Sequence, residues 1–397
     1  MAGLPYRRLA GFYFFYFATL GVLVPYWGLY LQSIGFAPAD IGTLTAVLLV
    51  SRIVAPIVWG SVADHTGHRI RLVRITALFT VVAFLGVFLG ATFWWLAGVM
   101  LAFSFFWHAA LPLLEVNVMN SLGARAGAYG RVRLWGSVGF IVAVVALGAI
   151  VDARGPWWVL PALLVLMGGI WIASLLLPDT PSAHAAVDAG RFRHALRRPE
   201  VIAFLAAGVL MQAGHGPYYT FYSIYLESAG YTKSVIGLLW AFGVICEIVV
   251  FLFMTRIFAV ANVRRVLLLS FALASLRWLM IGFFPESIVM LVLAQTLHAA
   301  SFATFHAASM QLVHRYFKGR HQHRGQAIYG GVAFGAGGAI GSFVSGHAWS
   351  AIGPAMTFAL ASAAAAAAFL VALAFVERPI GDVATRADGA RESDQEG

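Results

Sequence analysis

The chain has 397 residues, of which 61% are hydrophobic and only 11% are charged. Its mean hydropathy of +0.85 excludes a soluble enzyme, and its 14% aromatic content excludes a disordered chain. The single cysteine, Cys246, cannot form an internal disulfide. The formal net charge of +10 therefore raises the question of which side of a membrane the basic residues occupy.

Polar interruptions divide the chain into twelve apolar segments, each long enough to cross a bilayer as a helix. They lie at about residues 9–31, 41–63, 72–91, 95–119, 134–151, 157–177, 200–226, 234–257, 264–284, 287–314, 325–351 and 355–376. The first follows Arg7 and Arg8 but lacks a small-residue cleavage signal, so we expect a span rather than a removable signal peptide. The sequence thus predicts an all-α polytopic membrane protein.

The 26 Lys and Arg residues are concentrated in alternate loops. The other loops hold only Arg154 and Lys233, while Arg52 and Arg277 lie inside predicted spans. Because short cytoplasmic loops carry an excess of basic residues, both termini are predicted to be cytoplasmic. The basic excess then faces the inner leaflet of the membrane and not nucleic acid.

Residues 178–199 form the longest polar connection before the C-terminal tail. They divide the predicted spans six and six, so we expect one six-helix bundle over residues 1–177 and a second over residues 200–376, joined by a cytoplasmic linker. The tail over residues 377–397 is charged and has few apolar residues, and it is predicted to be disordered.

Two stretches of the first half recur in the second half. Residues 30–42 match residues 225–237, and residues 135–140 match residues 329–334, in the same order and at nearly the same spacing. Chance similarity between apolar helices is the alternative, but two ordered matches favour a repeat. In parallel repeats of this kind the axis relating the halves runs along the membrane normal, so we expect substrate to bind near mid-membrane between them.

The loop between the second and third spans reads Gly60-Ser-Val-Ala-Asp64-His-Thr-Gly67-His-Arg69. A Gly-Asp-Gly turn between helices is ordinary by itself, since glycine permits close approach and a tight turn. With its location and the repeat, however, this loop resembles the signature loop of the major facilitator superfamily. The resemblance implies twelve transmembrane helices in two six-helix bundles and a conformational latch formed by Gly60, Asp64, Gly67 and Arg69.

Within that superfamily the chain resembles the lactose permease and phenylpropionate permease branch. The resemblance rests on residues 112–115, 129–140 and 296–298, and on Arg277. It implies that Glu115 and Arg133 bind substrate, with Phe140 in place of the family's stacking tryptophan. An ion pair that caps the connection between the fourth and fifth spans is the structural alternative.

The chain departs from lactose permease at positions that matter for proton coupling. Gln212 and His215 stand where that family has acidic residues on its seventh helix. On the tenth helix, Gln295 replaces the lysine and Ser301 replaces the carboxylate that is protonated. Residues 297–306 look like the phenylpropionate permease type instead, which favours aromatic carboxylates over galactosides as substrates.

Five ionisable residues lie within the predicted spans or near their inner ends, namely Arg52, Glu115, Arg133, Glu247 and Arg277. A charge at a helix centre costs about 2.5–3.5 kcal/mol, so we expect these side chains to border a central cavity. Salt bridges that merely hold helices together are the alternative. Arg133 and Phe140 share one helix face, and a guanidinium beside a ring suits a planar substrate with oxygen acceptors. The predicted substrate-binding residues are Arg52, Glu115, Arg133, Phe140 and Arg277.

At the repeat spacing Arg52 corresponds to Glu247, so the two charges are expected at equivalent depths and could pair across the cavity. We predict that Glu247 takes up the coupling proton with help from His298, and Glu115 is the next candidate. Burial and a nearby arginine act in opposite senses on such a carboxyl group. His306 faces roughly the same way as His298 and titrates near neutrality, although a neutral, hydrogen-bonded histidine is the structural alternative.

No metal or cofactor is predicted, because no carboxylate and histidine ligands converge at close spacing. The glycine-rich residues 335–341 lie in an apolar helix with no strand before it. A nucleotide-binding loop is therefore excluded, and close helix packing through small residues is expected instead.

The predicted function is proton-coupled import of a small organic solute by alternating access in a bacterial inner membrane. The expected partners are the solute, the proton and the lipid bilayer, and the chain is expected to act as a monomer. An aromatic carboxylate such as phenylpropionate is favoured, with a sugar or nucleoside second. A proton-coupled exporter of drugs or metabolites is the nearest alternative, because fold does not set direction. A membrane enzyme or receptor would need a catalytic cluster or a signalling domain.

Overall fold

In the computed structural model, residues 6–122, 127–178 and 189–377 are described, and they form helices joined by short connections. The α-helices are α1 (Tyr6–Ser33), α2 (Pro38–Thr66), α3 (Arg69–Phe84), α4 (Phe93–Leu122), α5 (Gly127–Arg154), α6 (Val159–Leu175), α7 (Ala189–Leu196), α8 (Pro199–Gly214), α9 (Gly216–Ser228), α10 (Lys233–Val260), α11 (Val263–Phe283), α12 (Ile288–His298), α13 (Thr304–Tyr316), α14 (Gln322–Tyr329) and α15 (Gly338–Phe375). The prediction of an all-α protein is confirmed.

Eleven helical segments of the described chain are long and apolar enough to cross a membrane. The last, Arg324–Phe375, has 52 residues, and a straight helix of that length would extend roughly 80 Å. A bilayer's hydrocarbon core is only about 30 Å thick. This segment is broken at Gly353, whose φ of 82° is not helical and which precedes Pro354. The break lies where the sequence predicts a connection between two spans.

Three predicted spans contain a local change of helix geometry. Helices α8 and α9 meet at His215, and π-helical segments lie between α12 and α13 (Ala299–Ala303) and between α14 and α15 (Gly330–Gly337). π-Helical turns are rare in proteins, but those that occur are often found at functional sites. The second of them ends inside the glycine-rich run 335–341, which continues into α15, so these glycines are part of a helix as expected.

Small residues allow close helix packing within each half of the chain. A Cβ on Gly21 of α1 would meet the backbone oxygen of Phe140 on α5 at 2.6 Å, and a Cβ on Gly214 would meet the backbone oxygen of Ala361 at 2.9 Å. Contacts this short leave no room for a side chain, so the helices approach backbone to backbone. This packing buries a core of aliphatic and aromatic side chains in each half.

The two halves of the chain contact each other at one end, where α1 ends and α10 begins, which we call the closed end. The Asp152 carboxylate at the end of α5 accepts hydrogen bonds from the backbone N–H groups of Lys233 and Ser234, each at 2.8 Å. It thereby caps the N-terminus of α10 across the halves. Gly42 of α2 lies against Gly346 of α15, where an added Cβ would approach to 2.7 Å.

The opposite end, where α2 ends and α10 also ends, is indented, and we call it the open end. No neighbouring atom of the described residues lies within 4 Å of the place where a Cβ on Gly60 would be. A groove of about 510 Å³ lies there between α10 and α13, and it is lined by Met254, Thr255, Phe258, Ala259, Ala307 and Gln311. This groove belongs to the second half of the chain and opens at this end.

The predicted latch loop lies at the open end, where Gly60 has no close neighbour among the described residues. Gly67 ends α2 with a φ of 72°, a conformation that favours glycine. The Asp64 carboxylate, 65% exposed, pairs with Arg69 at 2.5 Å within the same loop. The close approach expected at Gly60 is not made with this end open, and the role of the loop as a latch remains a prediction.

Parts of two sequence predictions lie outside the described residues. These are residues 179–188 of the predicted linker and residues 378–397 of the predicted disordered tail. The described part of the linker region includes α7, whose Phe192 packs on Phe317 at 5.4 Å between ring centroids.

Candidate functional site

Two arginines project from the first half toward the interior between the halves. Arg52 on α2 lies 5.0 Å from the ring centroid of Phe334, which belongs to the second half. Arg133 on α5 lies 3.8 Å from the ring centroid of Phe17 on α1. A guanidinium stacked on a ring face is held in a defined plane while its N–H edges stay available to an acceptor. Both arginines are half-buried.

Glu115 on α4 is the carboxylate nearest to these arginines. It accepts a hydrogen bond from the Tyr129 hydroxyl at 3.0 Å, and both Arg133 and Arg52 act on it electrostatically. Glu115 is therefore close enough to Arg133 and Arg52 to interact with both electrostatically. Their predicted role in binding substrate stays a prediction.

Glu247 on α10 approaches the same place from the second half. Its carboxylate lies 3.9 Å from Nε2 of His298, and its side chain is 22% exposed. The arginine that acts on it electrostatically is Arg133. The expected pairing with Arg52 was therefore wrong, because Arg52 lies instead over Phe334 and acts on Glu115.

His306 on α13 lies near Arg52, because both lie against the ring of Phe334. Arg133 and Arg52 both act on it electrostatically, and its ring is half-buried. We refer to Arg52, Glu115, Arg133, Glu247 and His306 together as the central polar site. These residues come from five helices of both halves, and each of them interacts electrostatically with at least one of the others.

Arg277 does not border this site, which corrects the expectation that all five charges face the cavity. The side chain is 0% exposed. Its Nε donates to the carbonyl oxygen of Ala294 at 3.1 Å, and Nη2 donates to Oε1 of Gln295 at 3.3 Å. The guanidinium lies 4.1 Å and 4.4 Å from the ring centroids of Tyr218 and Trp278. Arg277 is thus enclosed within the second half by hydrogen bonds and ring faces.

Phe140 is also set back from the central polar site. It is 8% exposed and belongs to the hydrophobic core, with its backbone against Gly21. The ring over which Arg133 stacks is Phe17, which the sequence did not single out. Phe334 is the repeat counterpart of Phe140, so the repeat contained a signal for it.

A buried polar network next to Arg52 was also missed. Oγ of Ser51 lies 2.8 Å from Oγ of Ser104 and 2.8 Å from Nδ1 of His108. These contacts join α2 to α4 at the residue before Arg52. The network therefore fixes the part of α2 from which the Arg52 side chain projects.

The site offers charged and aromatic groups rather than metal ligands. Within residues 6–122, 127–178 and 189–377, no group of three His, Cys, Asp or Glu side chains is placed to hold a metal ion. Guanidinium and carboxylate groups that are half-buried and come from both halves can bind a small polar or anionic solute.

Comparisons with known proteins agree with this geometry. Residues 6–360 match the MFS_1 like family. The chain is 31% identical over 369 residues to a probable 3-phenylpropionic acid transporter of Escherichia coli, covering 92% of this chain and 96% of that protein. It is 25% identical over 340 residues to a maltose permease of Geobacillus stearothermophilus, covering 85% and 86%.

Two solved structures share the fold. The nucleoside transporter NupG superposes with a TM-score of 0.82 at 16% identity, covering 94% of this chain and 99% of that chain. An auto inhibited peptide transporter of the POT family superposes with a TM-score of 0.73 at 12% identity, covering 93% and 95%. The relatives are transporters and not enzymes. The chain belongs to the MFS_1 like family and is a multi-pass membrane transporter of the major facilitator kind.

Proposed function

We propose that this chain is a proton-coupled symporter that imports a small aromatic carboxylate, such as phenylpropionate, across a bacterial inner membrane by alternating access. Twelve spans form two six-helix bundles, residues 1–177 and 200–376, with both termini and the open end in the cytoplasm. The concentration of arginines in the loops of the open end supports this orientation. The described conformation is then the one that faces inward.

The observation that carries the proposal is the packing of α5 against α10, which brings Arg133 of one half close enough to act electrostatically on Glu247 of the other. These residues come from opposite halves, so Glu247 competes with any anionic substrate for the same guanidinium. An ionised Glu247 supplies Arg133 with a counter-ion, and a proton on Glu247 removes it. Proton uptake therefore releases Arg133 to bind a carboxylate, which couples the two ligands.

Charge balance in the central polar site favours a monoanion as substrate. Two guanidinium groups, Arg52 and Arg133, face two carboxylates, Glu115 and Glu247, so the site is neutral when His306 is neutral. One proton on Glu247 leaves one positive charge without compensation, and such a charge is costly in a low-dielectric interior. A substrate with a single carboxylate restores neutrality.

The substrate class is supported by two further points. The aromatic faces of Phe17 and Phe334 line the guanidinium groups, and the Escherichia coli relative is described as a probable 3-phenylpropionic acid transporter. A sugar or a nucleoside, as in the names of the maltose and nucleoside transporters, would leave the positive charge uncompensated. We therefore favour the carboxylate over both.

The test is transport by proteoliposomes containing the Glu247→Gln variant. The neutral amide leaves Arg133 permanently available, so exchange of labelled for unlabelled phenylpropionate should continue while accumulation driven by a pH gradient is lost. The matched control is Glu286→Gln, which neutralises an exposed carboxylate in the connection between α11 and α12 and should accumulate substrate normally. Full accumulation by Glu247→Gln would remove Glu247 from proton coupling.

Direction is tested in the same vesicles. In a symporter, uptake of substrate acidifies the vesicle interior, because the proton enters with the solute. An exporter working by exchange would instead move protons opposite to the solute. Interior alkalinisation during uptake would therefore replace import by the exporter alternative.

A further inference from the structure

The groove between α10 and α13 is large enough to hold several side chains of another segment. Its volume is about 510 Å³, which lies within the range of pockets that bind ligands. Four of its six lining residues are apolar, and the other two, Thr255 and Gln311, can form hydrogen bonds. Thr255 and Ala259 are exposed in the described chain. Exposed apolar surface of this kind marks a place where something binds.

The groove continues the face of α10 that carries Glu247. Met254 and Phe258 follow Glu247 by seven and eleven residues, which is about two and three helical turns, so the three side chains share one face. On the other wall, Ala307 directly follows His306. An occupant of the groove therefore lies on the open-end side of the central polar site.

The described chain ends at the mouth of this groove, held by two arginines that continue its walls. The Arg315 guanidinium donates to both carboxylate oxygens of Glu377, at 2.7 Å and 2.8 Å, and Arg315 lies one turn after the groove residue Gln311 on α13. Arg264, in the first turn of α11 directly after α10, donates from Nε to the carbonyl oxygen of Val376 at 3.0 Å. The position from which the chain continues is therefore fixed beside the groove.

The chain that continues from this mouth can reach the groove. Residues 378–397 lie outside the described residues, and Ile380 and Val383 are their only large aliphatic side chains. An extended chain advances at most about 3.6 Å per residue, so Ile380 lies within about 11 Å of Glu377 and Val383 within about 22 Å. The two groove residues of α13 lie only about 6 Å apart along the helix. Both aliphatic side chains therefore come within reach of the groove walls.

Charge and tethering favour this segment over a lipid acyl chain as the occupant. Residues 378–397 contain three Arg and five Asp or Glu residues, which gives a net charge of −2. The surroundings of the groove are basic, because Arg256 on α10 and Lys318 after α13 are exposed. A short tether also raises the effective concentration of a segment to the millimolar range. A weak apolar contact is then enough to keep the groove occupied, whereas a lipid has no such tether.

We propose that the groove between α10 and α13 is a docking site for residues 378–383 of this chain. Ile380 and Val383 lie against Met254 and Phe258, and the acidic residues that follow remain near the basic rim. The predicted disorder of the tail is then limited to the residues after Val383. The docked segment covers the face of α10 that runs from Glu247 to the open end.

The test measures access to the groove with and without the tail. In a Cys246→Ser background, Thr255→Cys is reacted with a water-soluble maleimide in lipid nanodiscs, which leave both membrane faces accessible. A site that is occupied in about nine-tenths of the molecules reacts about 10-fold more slowly than a free one. A chain that ends at Glu377 should therefore react about 10-fold faster than the full chain. The matched control is Ser61→Cys, an exposed position on α2 at the open end, whose rate should not change.

Two measurements on the full chain make the test independent of the shortened one. Ile380→Asp should accelerate the reaction of Thr255→Cys as removal of the tail does. On oxidation, Ile380→Cys should form a disulfide with Thr255→Cys and not with Ser61→Cys, because a disulfide requires Cα atoms about 4.4–6.8 Å apart.

Equal maleimide rates with and without the tail, or equal cross-linking to positions 255 and 61, would overturn the proposal. If Thr255→Cys is equally protected in both chains and becomes reactive when detergent replaces the lipid, then an acyl chain occupies the groove and the tail does not. None of these measurements uses a substrate. Their failure would therefore leave the proposed transport function untouched.

Discussion

Replacing Asp152 by Asn should weaken the closed end without disturbing either half by itself. The carboxylate accepts hydrogen bonds from the N–H groups of Lys233 and Ser234 and from the Ser234 hydroxyl, the last at 2.5 Å. All of these groups belong to the other half of the chain. The contacts therefore exist only while this end is closed, and their loss destabilises that conformation alone.

The free energy lost in Asp152→Asn depends on which hydrogen-bond acceptors the asparagine side chain retains. Asn retains one oxygen acceptor for a helix N-terminus but loses the second acceptor and the charge that faces the helix dipole. Loss of a cap costs about 0.5–2 kcal/mol, and loss of a charge near a helix N-terminus costs about 0.3–1 kcal/mol. We take about 1–2 kcal/mol in total, which shifts the equilibrium toward opening of this end by roughly 5- to 30-fold.

The assay is the reaction of a cysteine below the closed end with an impermeant maleimide. Thr220 is 6% exposed, and its backbone oxygen lies 2.9 Å from the Cβ position of Gly28 in the other half. In a Cys246→Ser background, Thr220→Cys in right-side-out vesicles should react about 5- to 30-fold faster when Asp152→Asn is added. Glu286→Gln is the control and should leave the rate unchanged. Equal rates with and without Asp152→Asn would show that the cap does not hold this end closed.

Two further predictions concern charge. If one proton accompanies one monocarboxylate, net transport is electroneutral. Uptake should then be driven by an imposed pH gradient and should not respond to a membrane potential set with valinomycin and potassium. Accumulation driven by the potential at clamped pH would contradict this stoichiometry. Gln295→Leu removes an acceptor from the buried Arg277 guanidinium and should destabilise the protein by about 1.5–3 kcal/mol, measured as a lower thermal unfolding midpoint. The control is Gln32→Leu at an exposed position, which should unfold like the wild type. Equal midpoints for the two variants would be inconsistent with the buried network.

The helices could be predicted from the sequence because their signals are local. Apolar length gives each span, and the Gly353–Pro354 pair marks the break between the last two predicted spans. The π-helical turns at Ala299–Ala303 and Gly330–Gly337 could not be predicted in the same way. They depend on packing between helices, and the periodicity of apolar residues in a single sequence does not report that packing.

The partners of the charged residues were only half predictable, for a geometric reason. The repeat relates Arg52 on α2 to Glu247 on α10, but such a correspondence predicts only their depth. The halves meet through α2 with α15 and through α5 with α10. Repeat counterparts are therefore not neighbours across the interface, and Glu247 lies near Arg133 while Arg52 lies over Phe334.

Arg277 illustrates a second limit of sequence reasoning. A charged side chain in an apolar span must avoid lipid, but it can do so by bordering a wet cavity or by burial in protein. Both choices have the same appearance in the sequence. Here Gln295 and the faces of Tyr218 and Trp278 enclose the guanidinium, so the cavity is not needed.

The interface of α5 with α10 links the charges of the site to the contacts of the closed end. Arg133 and Asp152 lie on α5 about 28 Å apart along its axis; Arg133 acts electrostatically on Glu247, and Asp152 accepts hydrogen bonds from the N-terminus of α10. One pair of rigid helices therefore carries both contacts. A movement that separates Asp152 from α10 would also move Arg133 relative to Glu247, which is what the proposed coupling between opening of the closed end and protonation of Glu247 requires.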